Sequence, residues 1–199
     1  MPKRIDYQII SSFIKNGSKV IDLGCGNGDL LYELEKEHNV KGQGIEISDE
    51  GITQCIKKGL AVHHGNIEEG LSDYADNTFD YVILSQTLQV TNTPAFIIGE
   101  MLRVGKKVII SFPNFGHYNM RFQLGILGRM PVTKTFPYQW FDTPNVRHTT
   151  INDFRKFCQS HGFVIEKEVF LKDFNKTRSA FLSNLLASTA IFVLKKEQQ

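Results

Sequence analysis

Along the first 112 residues, short apolar runs alternate with segments whose apolar positions recur at helical spacing. The runs Lys19–Leu23, Gln43–Ile47, Ala61–His64, Phe79–Ser85 and Lys107–Phe112 read as strands. Phe79–Ser85 (FDYVILS) is apolar almost throughout, as a strand covered on both faces requires. Between them, Asp29–His38 sets Leu30, Leu31 and Leu34 on one face with charges opposite. Asp49–Lys58 reads as a helix, with Ser48 or Asp49 as its N-cap and Gly59 at its end. Pro94–Arg103 is a third helix, with proline in its first turn. Repeated alternation of this kind predicts an α/β fold: a mostly parallel sheet with helices on both faces.

The pattern breaks after Phe112. Residues 112–141 hold eight of the 22 aromatic residues, and four prolines fall between Pro113 and Pro144. Ile151–His161 returns to helical spacing, with Thr149 or Thr150 as cap. Phe163–Leu171 and Ala190–Lys195 read as two final strands. Their connection, rich in Ser, Asn and Leu, reads as part helical and is short for a parallel crossover, so an antiparallel pair is expected. The expectation is one domain over 1–199, carrying an aromatic insertion or lid at about 112–149.

Charge narrows the function. Lys plus Arg number 23 against 21 Asp plus Glu, a net charge of +2. Non-specific nucleic-acid binding needs a strong positive excess, so no nucleic acid is expected. Cys25, Cys55 and Cys158 are far apart with no CxxC pair, which disfavours zinc and suits a reducing cytoplasm. Met1–Ser12 lacks the apolar run of an export signal. Tyr81–Gly99 carries Gln86, Gln89, Asn92 and Pro94. Ser179–Leu194 falls short of the about 20 residues of a membrane helix, so no membrane is expected.

The chemistry concentrates at VIDLGCGNGDL, residues 20–30, between a strand and a helix. Glycines there permit close approach of a ligand to the backbone, beside the free N–H groups of a helix start. Glu46 ends the next strand, 18 residues after Gly28, where a carboxylate accepts hydrogen bonds from ribose hydroxyls. A nicotinamide-type GxGxxG is absent, since Asp29 stands where its last glycine would be.

With Asp22 ahead of it, the turn reads D-x-G-x-G-x-G and resembles the S-adenosyl-L-methionine (SAM) loop of class I methyltransferases. That resemblance implies a Rossmann-like, seven-stranded sheet with one antiparallel strand. It implies SAM contacts from Asp22, Gly24, Cys25, Gly26 and Gly28, with Glu46 on the ribose and Ile47 against the adenine. Asn66 and Ile67 follow the third strand, where this class often has an Asp on the adenine amino group. An asparagine there equally serves as a turn residue. Ser85 ends strand four beside the expected sulfur, and SQTL stands in place of the NPPY-type motif of amino-methyltransferases.

The runs DLGCGNGDLL, DYVILSQTLQ, EMLRVGKKVIISFPNFGHY, GRMPVT and PYQWFDTPN resemble the MetW family of methionine biosynthesis proteins, from about Ile5 to Leu194. The resemblance implies a cytoplasmic bacterial protein that acts with homoserine O-acetyltransferase. An active SAM-dependent methyltransferase on a small molecule is the alternative. Methyl transfer from a sulfonium is an in-line displacement in which positioning dominates, so no base is required. His117, Tyr118, Tyr138 and His148 are the candidate bases of the aromatic segment, and for each of them a structural role is the favoured reading. His63 and His64 would point to opposite faces of a strand and are assigned no role. Ser85 and His117 lack a G-x-S-x-G elbow, which disfavours hydrolase chemistry. Between Ser111 and Thr150, Arg121, Arg129, Lys134 and Arg147 stand against Asp142 alone, which suits either an acidic partner face or a solvated loop.

Overall fold

The computed structural model describes residues 4–172, 175–176 and 182–196. Helix α1 (Ile5–Ser11) precedes β1 (Lys19–Leu23), α2 (Asp29–His38), β2 (Lys41–Glu46), α3 (Asp49–Lys57) and β3 (Val62–His64). Then come β4 (Phe79–Ser85), α4 (Pro94–Val104), β5 (Gly105–Pro113), α5 (Tyr118–Gly125) and α6 (Ile151–Ser160). The last elements are β6 (Val164–Lys172), the two-residue β7 (Asn175–Lys176), α7 (Ser183–Leu186) and β8 (Thr189–Lys195).

The strand order is β3-β2-β1-β4-β5-β8-β6-β7. The first five strands pair in parallel, and β8 lies antiparallel between β5 and β6. This is the expected mixed sheet of seven strands with one inserted antiparallel strand, extended at its edge by β7. The antiparallel pairing of the last two long strands is as the sequence predicts. Their connection contains α7, while 173–174 and 177–181 of it lie outside the described residues, as do 1–3 of the chain.

Alternation along β1 sends its side chains to two different layers. Val20 packs with Ile10, Leu30, Leu31 and Leu34 beneath α1 and α2. Ile21 and Leu23 join Ile97, Met101, Phe112, Phe154 and Phe192 beneath α4 and α6. Phe112 stacks on Phe192 at 5.7 Å, and Phe154 packs on the two at 4.9 and 4.7 Å. Each fully buried phenylalanine contributes about 1.5–3 kcal/mol. Asp22 falls on the Val20 side, toward α1 and α2.

Several boundaries differ from the pattern. β2 ends at Glu46 rather than Ile47, because the Glu46 carboxylate takes the N–H groups of Ile47 and Ser48. α4 runs through Val104 straight into β5 at Gly105, two residues before the expected strand start. Ser48 caps α3 by accepting from the Gly51 N–H, and Thr150 caps α6 by accepting from the Asp153 N–H. α1 is an addition to the sequence reading. It lies alongside α2 in the same direction: Ser11 Oγ, at the end of α1, meets His38 Nε2 at 2.7 Å at the end of α2. The start of α1, with Arg4 and Tyr7, therefore points back toward the start of α2. Among the described residues no helix is long and apolar enough to cross a membrane.

Candidate functional site

The turn from β1 to α2 crosses the carboxyl end of the sheet at the strand where chain order reverses, with β2 on one side and β4 on the other. Open α/β sheets form their ligand crevice at such a point. The N–H groups of Gly24 and Cys25 both donate to the Ile45 carbonyl, at 2.8 and 3.1 Å. The Gly26 N–H donates to Glu46 Oε2 at 2.7 Å. Glu46 Oε1 accepts from Ile47 and Ser48 at 3.0 and 2.9 Å. Three of the roughly four acceptor positions of a carboxylate are thus used internally, leaving one on Oε2.

Gly24 adopts φ +68°, and a Cβ there would stand 2.7 Å from Thr87 Cγ2. The turn after β4 therefore rests directly on the turn after β1. Gly26, at φ +56°, faces open space. Between the two turns lies a cavity of about 460 Å³, whose wall includes Gly24, Glu46, Ile47, Asn66, Ile67 and Thr87. Ile47 is 62% exposed, an unusual state for an isoleucine on a concave wall. Five of the expected residues thus share one cavity.

The other expected residues lie around it. Asn66 Oδ1 accepts from the Glu68 N–H at 3.0 Å as the cap of a 3-10 turn, leaving its amide nitrogen to donate outward. Ser85 Oγ lies 3.2 Å from Ser111 Oγ, so its hydroxyl is engaged within the sheet. Cys25 turns its thiol away from the cavity, 3.8 Å from Cys55 Sγ, and burial pushes both thiols up in pKa. Gly28 packs over Cys55 and Leu60 and begins α2 without a side-chain cap.

Asp22 is 2% exposed, and its Oδ1 has no hydrogen-bond partner. Burial, and next the charge of Glu46, push its pKa up to about 8, against the pull of Arg4. A buried carboxyl group left without a donor is costly and is matched to something that supplies one. Arg4 itself pairs with Asp6 and donates to the Tyr7 hydroxyl at 2.9 Å. Burial raises the Tyr7 pKa to about 12, with Asp22 and Asp29 adding to it and Arg4 opposing. Arg4 and Tyr7 thus overlook the start of α2 from above, a placement that sequence pattern could not supply because it depends on how α1 packs.

The four polar groups of the aromatic segment do not line this cavity. His117 is buried as the cap of α5, its Nδ1 accepting from the Asn119 N–H at 3.4 Å. His148 stacks on Phe115 at 4.5 Å, Tyr118 is exposed, and Tyr138 lies in a separate cleft with Met130 and Trp140. The cavity wall does include Thr87, Val90, Thr91 and Asn92, which the sequence reading missed. One signal in that segment is structural: Gln86 holds φ +55°, a left-handed conformation rare outside glycine, with its N–H on the Ser111 carbonyl at 2.9 Å.

The cavity thus joins a turn of glycines, an acid at a strand end and two exposed or half-buried isoleucines, Ile47 and Ile67. Comparisons with known proteins agree with this frame. A methyltransferase of Mesorhizobium loti, described as S-adenosylmethionine dependent, superposes with TM-score 0.70 at 13% identity, over 96% of this chain and 98% of that one. A SAM-dependent methyltransferase of Archaeoglobus fulgidus gives 0.67 at 17% identity, over 96% and 94%. These likenesses establish the fold. The bifunctional methionine biosynthesis protein MetXA/MetW of Rhodopirellula baltica is 35% identical over 206 residues, covering 98% of this chain. The chain spans 33% of that relative's length. The family described as methionine biosynthesis protein MetW matches residues 4–194, from the residue before α1 to the penultimate residue of β8. The glycine turn, its acid partner and the sheet that presents them are therefore those of a methyltransferase-fold protein of methionine biosynthesis, and the chain belongs to the MetW family.

Proposed function

We propose that the cavity at the β1–α2 turn binds SAM, and that the chain acts in the cytoplasm with homoserine O-acetyltransferase as a SAM-responsive partner. One observation carries the cofactor reading: the buried Asp22 carboxyl group whose Oδ1 lacks a donor. An ammonium group supplies that donor and favours the ionised acid. Glu46 offers its remaining Oε2 acceptor position to the ribose. Ile47 and Ile67 form the apolar wall for the adenine, and the Asn66 amide donates to a ring nitrogen. The uncapped start of α2, with Gly26 and Gly28 before it, faces the carboxylate, and Arg4 adds a positive charge. Ser85 marks the sulfur end through its backbone position, and Cys25 contributes through the turn it shapes. When bound, SAM supplies a methyl group on a sulfonium.

The partnership rests on the bifunctional relative, in which MetXA and MetW are one protein. The three buried free cysteines suit a reducing compartment. Calorimetric titration with SAM tests the first half: saturable one-site binding is expected, lost or much weakened in Asp22→Asn. Equal binding by parent and variant would overturn the assignment. Copurification with homoserine O-acetyltransferase, followed by its acetylation assay with and without this chain, tests the second. Formation of S-adenosylhomocysteine in cell extract would instead make the chain an active methyltransferase.

A further inference from the structure

We infer that the surface of residues 118–146 is the face by which this chain docks onto its protein partner, an apolar surface rimmed by acidic side chains. The inference rests on the partnership with homoserine O-acetyltransferase and adds the place of contact. Eleven of the 17 exposed large hydrophobic residues among those described fall between Tyr118 and Val146. Tyr118, Phe122 and Ile126 recur every four residues on the outer side of α5 and its end, while Met120 and Gln123 are buried. Trp140 and Phe141 are 72% and 70% exposed, their rings edge to face at 5.7 Å.

A scattered exposed leucine needs no explanation, but a concentration of this kind marks an interaction site. Its composition is that of binding centres, where Trp, Tyr, Phe, Met and Arg are enriched. The segment is also anchored: Phe136 is buried against Phe115, and Val132 N–H donates to Gln123 Oε1 at 3.2 Å. The outward aromatics therefore stand on a fixed support.

Charge names the kind of partner. Within 118–146, Arg121, Arg129 and Lys134 stand against Asp142 alone, a net +2, and the whole chain carries +2. The positive excess of the protein thus equals the net charge of this segment, and the remainder is balanced. Opposite charge at the rim steers encounter and sets register. A second copy would bring the same three cations against themselves, which argues against self-association through this face. The bifunctional relative places another protein unit on the same chain. The face is separate from the cofactor cavity, so its variants leave SAM binding intact.

The test uses the purified full chain and homoserine O-acetyltransferase of the same organism, with binding followed by calorimetry. Trp140→Ala/Phe141→Ala should weaken binding at least tenfold, and Arg129→Glu/Lys134→Glu should weaken it and flatten its dependence on salt. Both variants should keep the parental SAM affinity and melting temperature. Parental affinity in both variants would overturn the docking face while leaving the partnership standing. No binding by the parent would overturn both. Binding of the parent to anionic vesicles but not to the enzyme would assign the face to a lipid surface instead. Parent dimers that dissociate in the variants, read by sedimentation, would assign it to self-association.

Discussion

Gly26 and Glu46, 20 residues apart, are joined by a 2.7 Å hydrogen bond from the glycine N–H to the carboxylate Oε2. The turn leaving β1 and the acid closing β2 are consequently a single rigid unit. Replacing Glu46 with Ala removes the acceptor for three backbone donors. The expected outcome is a loss of about 1–3 kcal/mol of stability and a weakening of SAM binding by about 1.5–3 kcal/mol. Urea unfolding and calorimetric titration measure the two effects. Unchanged SAM affinity at reduced stability would make Glu46 purely a clamp for the turn.

Asp22 ties stability to pH. Its folded pKa, raised to about 8, exceeds that of an unfolded aspartate. The folded chain keeps the proton while the unfolded chain loses it, so stability falls as pH rises from the ordinary carboxylate range to about 8 and then levels off. Asp22→Asn should match the parent at pH 3–4 and exceed it near pH 9, in unfolding curves taken across that range. In the parent, SAM affinity should rise with pH up to about 8, with proton release that calorimetry in two buffers detects. A flat affinity profile would remove the ammonium contact.

The contact of Gly24 with Thr87 predicts a rescue. Gly24→Ala suffers both its positive φ and a collision with the Thr87 side chain. The strain at φ alone costs about 1–2 kcal/mol, and the collision adds to it. Adding Thr87→Ala removes the two nearest colliding atoms, so the double variant should regain the second part only. Full additivity in thermal unfolding would show that the two turns do not touch.

Linkage sets a further requirement. If SAM occupancy alters affinity for homoserine O-acetyltransferase, the enzyme must alter SAM affinity by the same factor. Titrations of each ligand in the presence and absence of the other should give matching ratios. Equal SAM affinities in both conditions would exclude a sensing role while leaving binding itself intact.

The elements most legible in the sequence were those whose pattern is made locally. β1, α2 and β4 have the expected bounds because a short β-branched run stopped by Gly24, three leucines at helical spacing and a continuous apolar run each leave one solution. α1 was not legible: Ile10 is helical because it packs against Leu30 and Leu34, a tertiary cause. α5 was hidden because its apolar residues point outward rather than making a core stripe. Of the site, Gly24, Glu46 and Ile47 could be read from a turn and a strand end. Thr87 and Asn92 could not, since their place on the wall follows from the backbone bend at Gln86. Nor does a sequence say which way Cys25 points; the space beside Gly44 and Cys55 decides it.

The position of β8 has a consequence for how the molecule assembles. Lys107 pairs with Lys195 and Pro113 with Thr189, so β5 waits for a partner that lies far along the chain. Until that partner arrives, β5 and β6 each present an unsatisfied edge to solvent, open to mispairing with other chains. Such distant closure is entropically slow and raises the folding barrier. Chaperone dependence and intermolecular clumping during refolding should accordingly trace to this one late insertion, and not to the glycine turn.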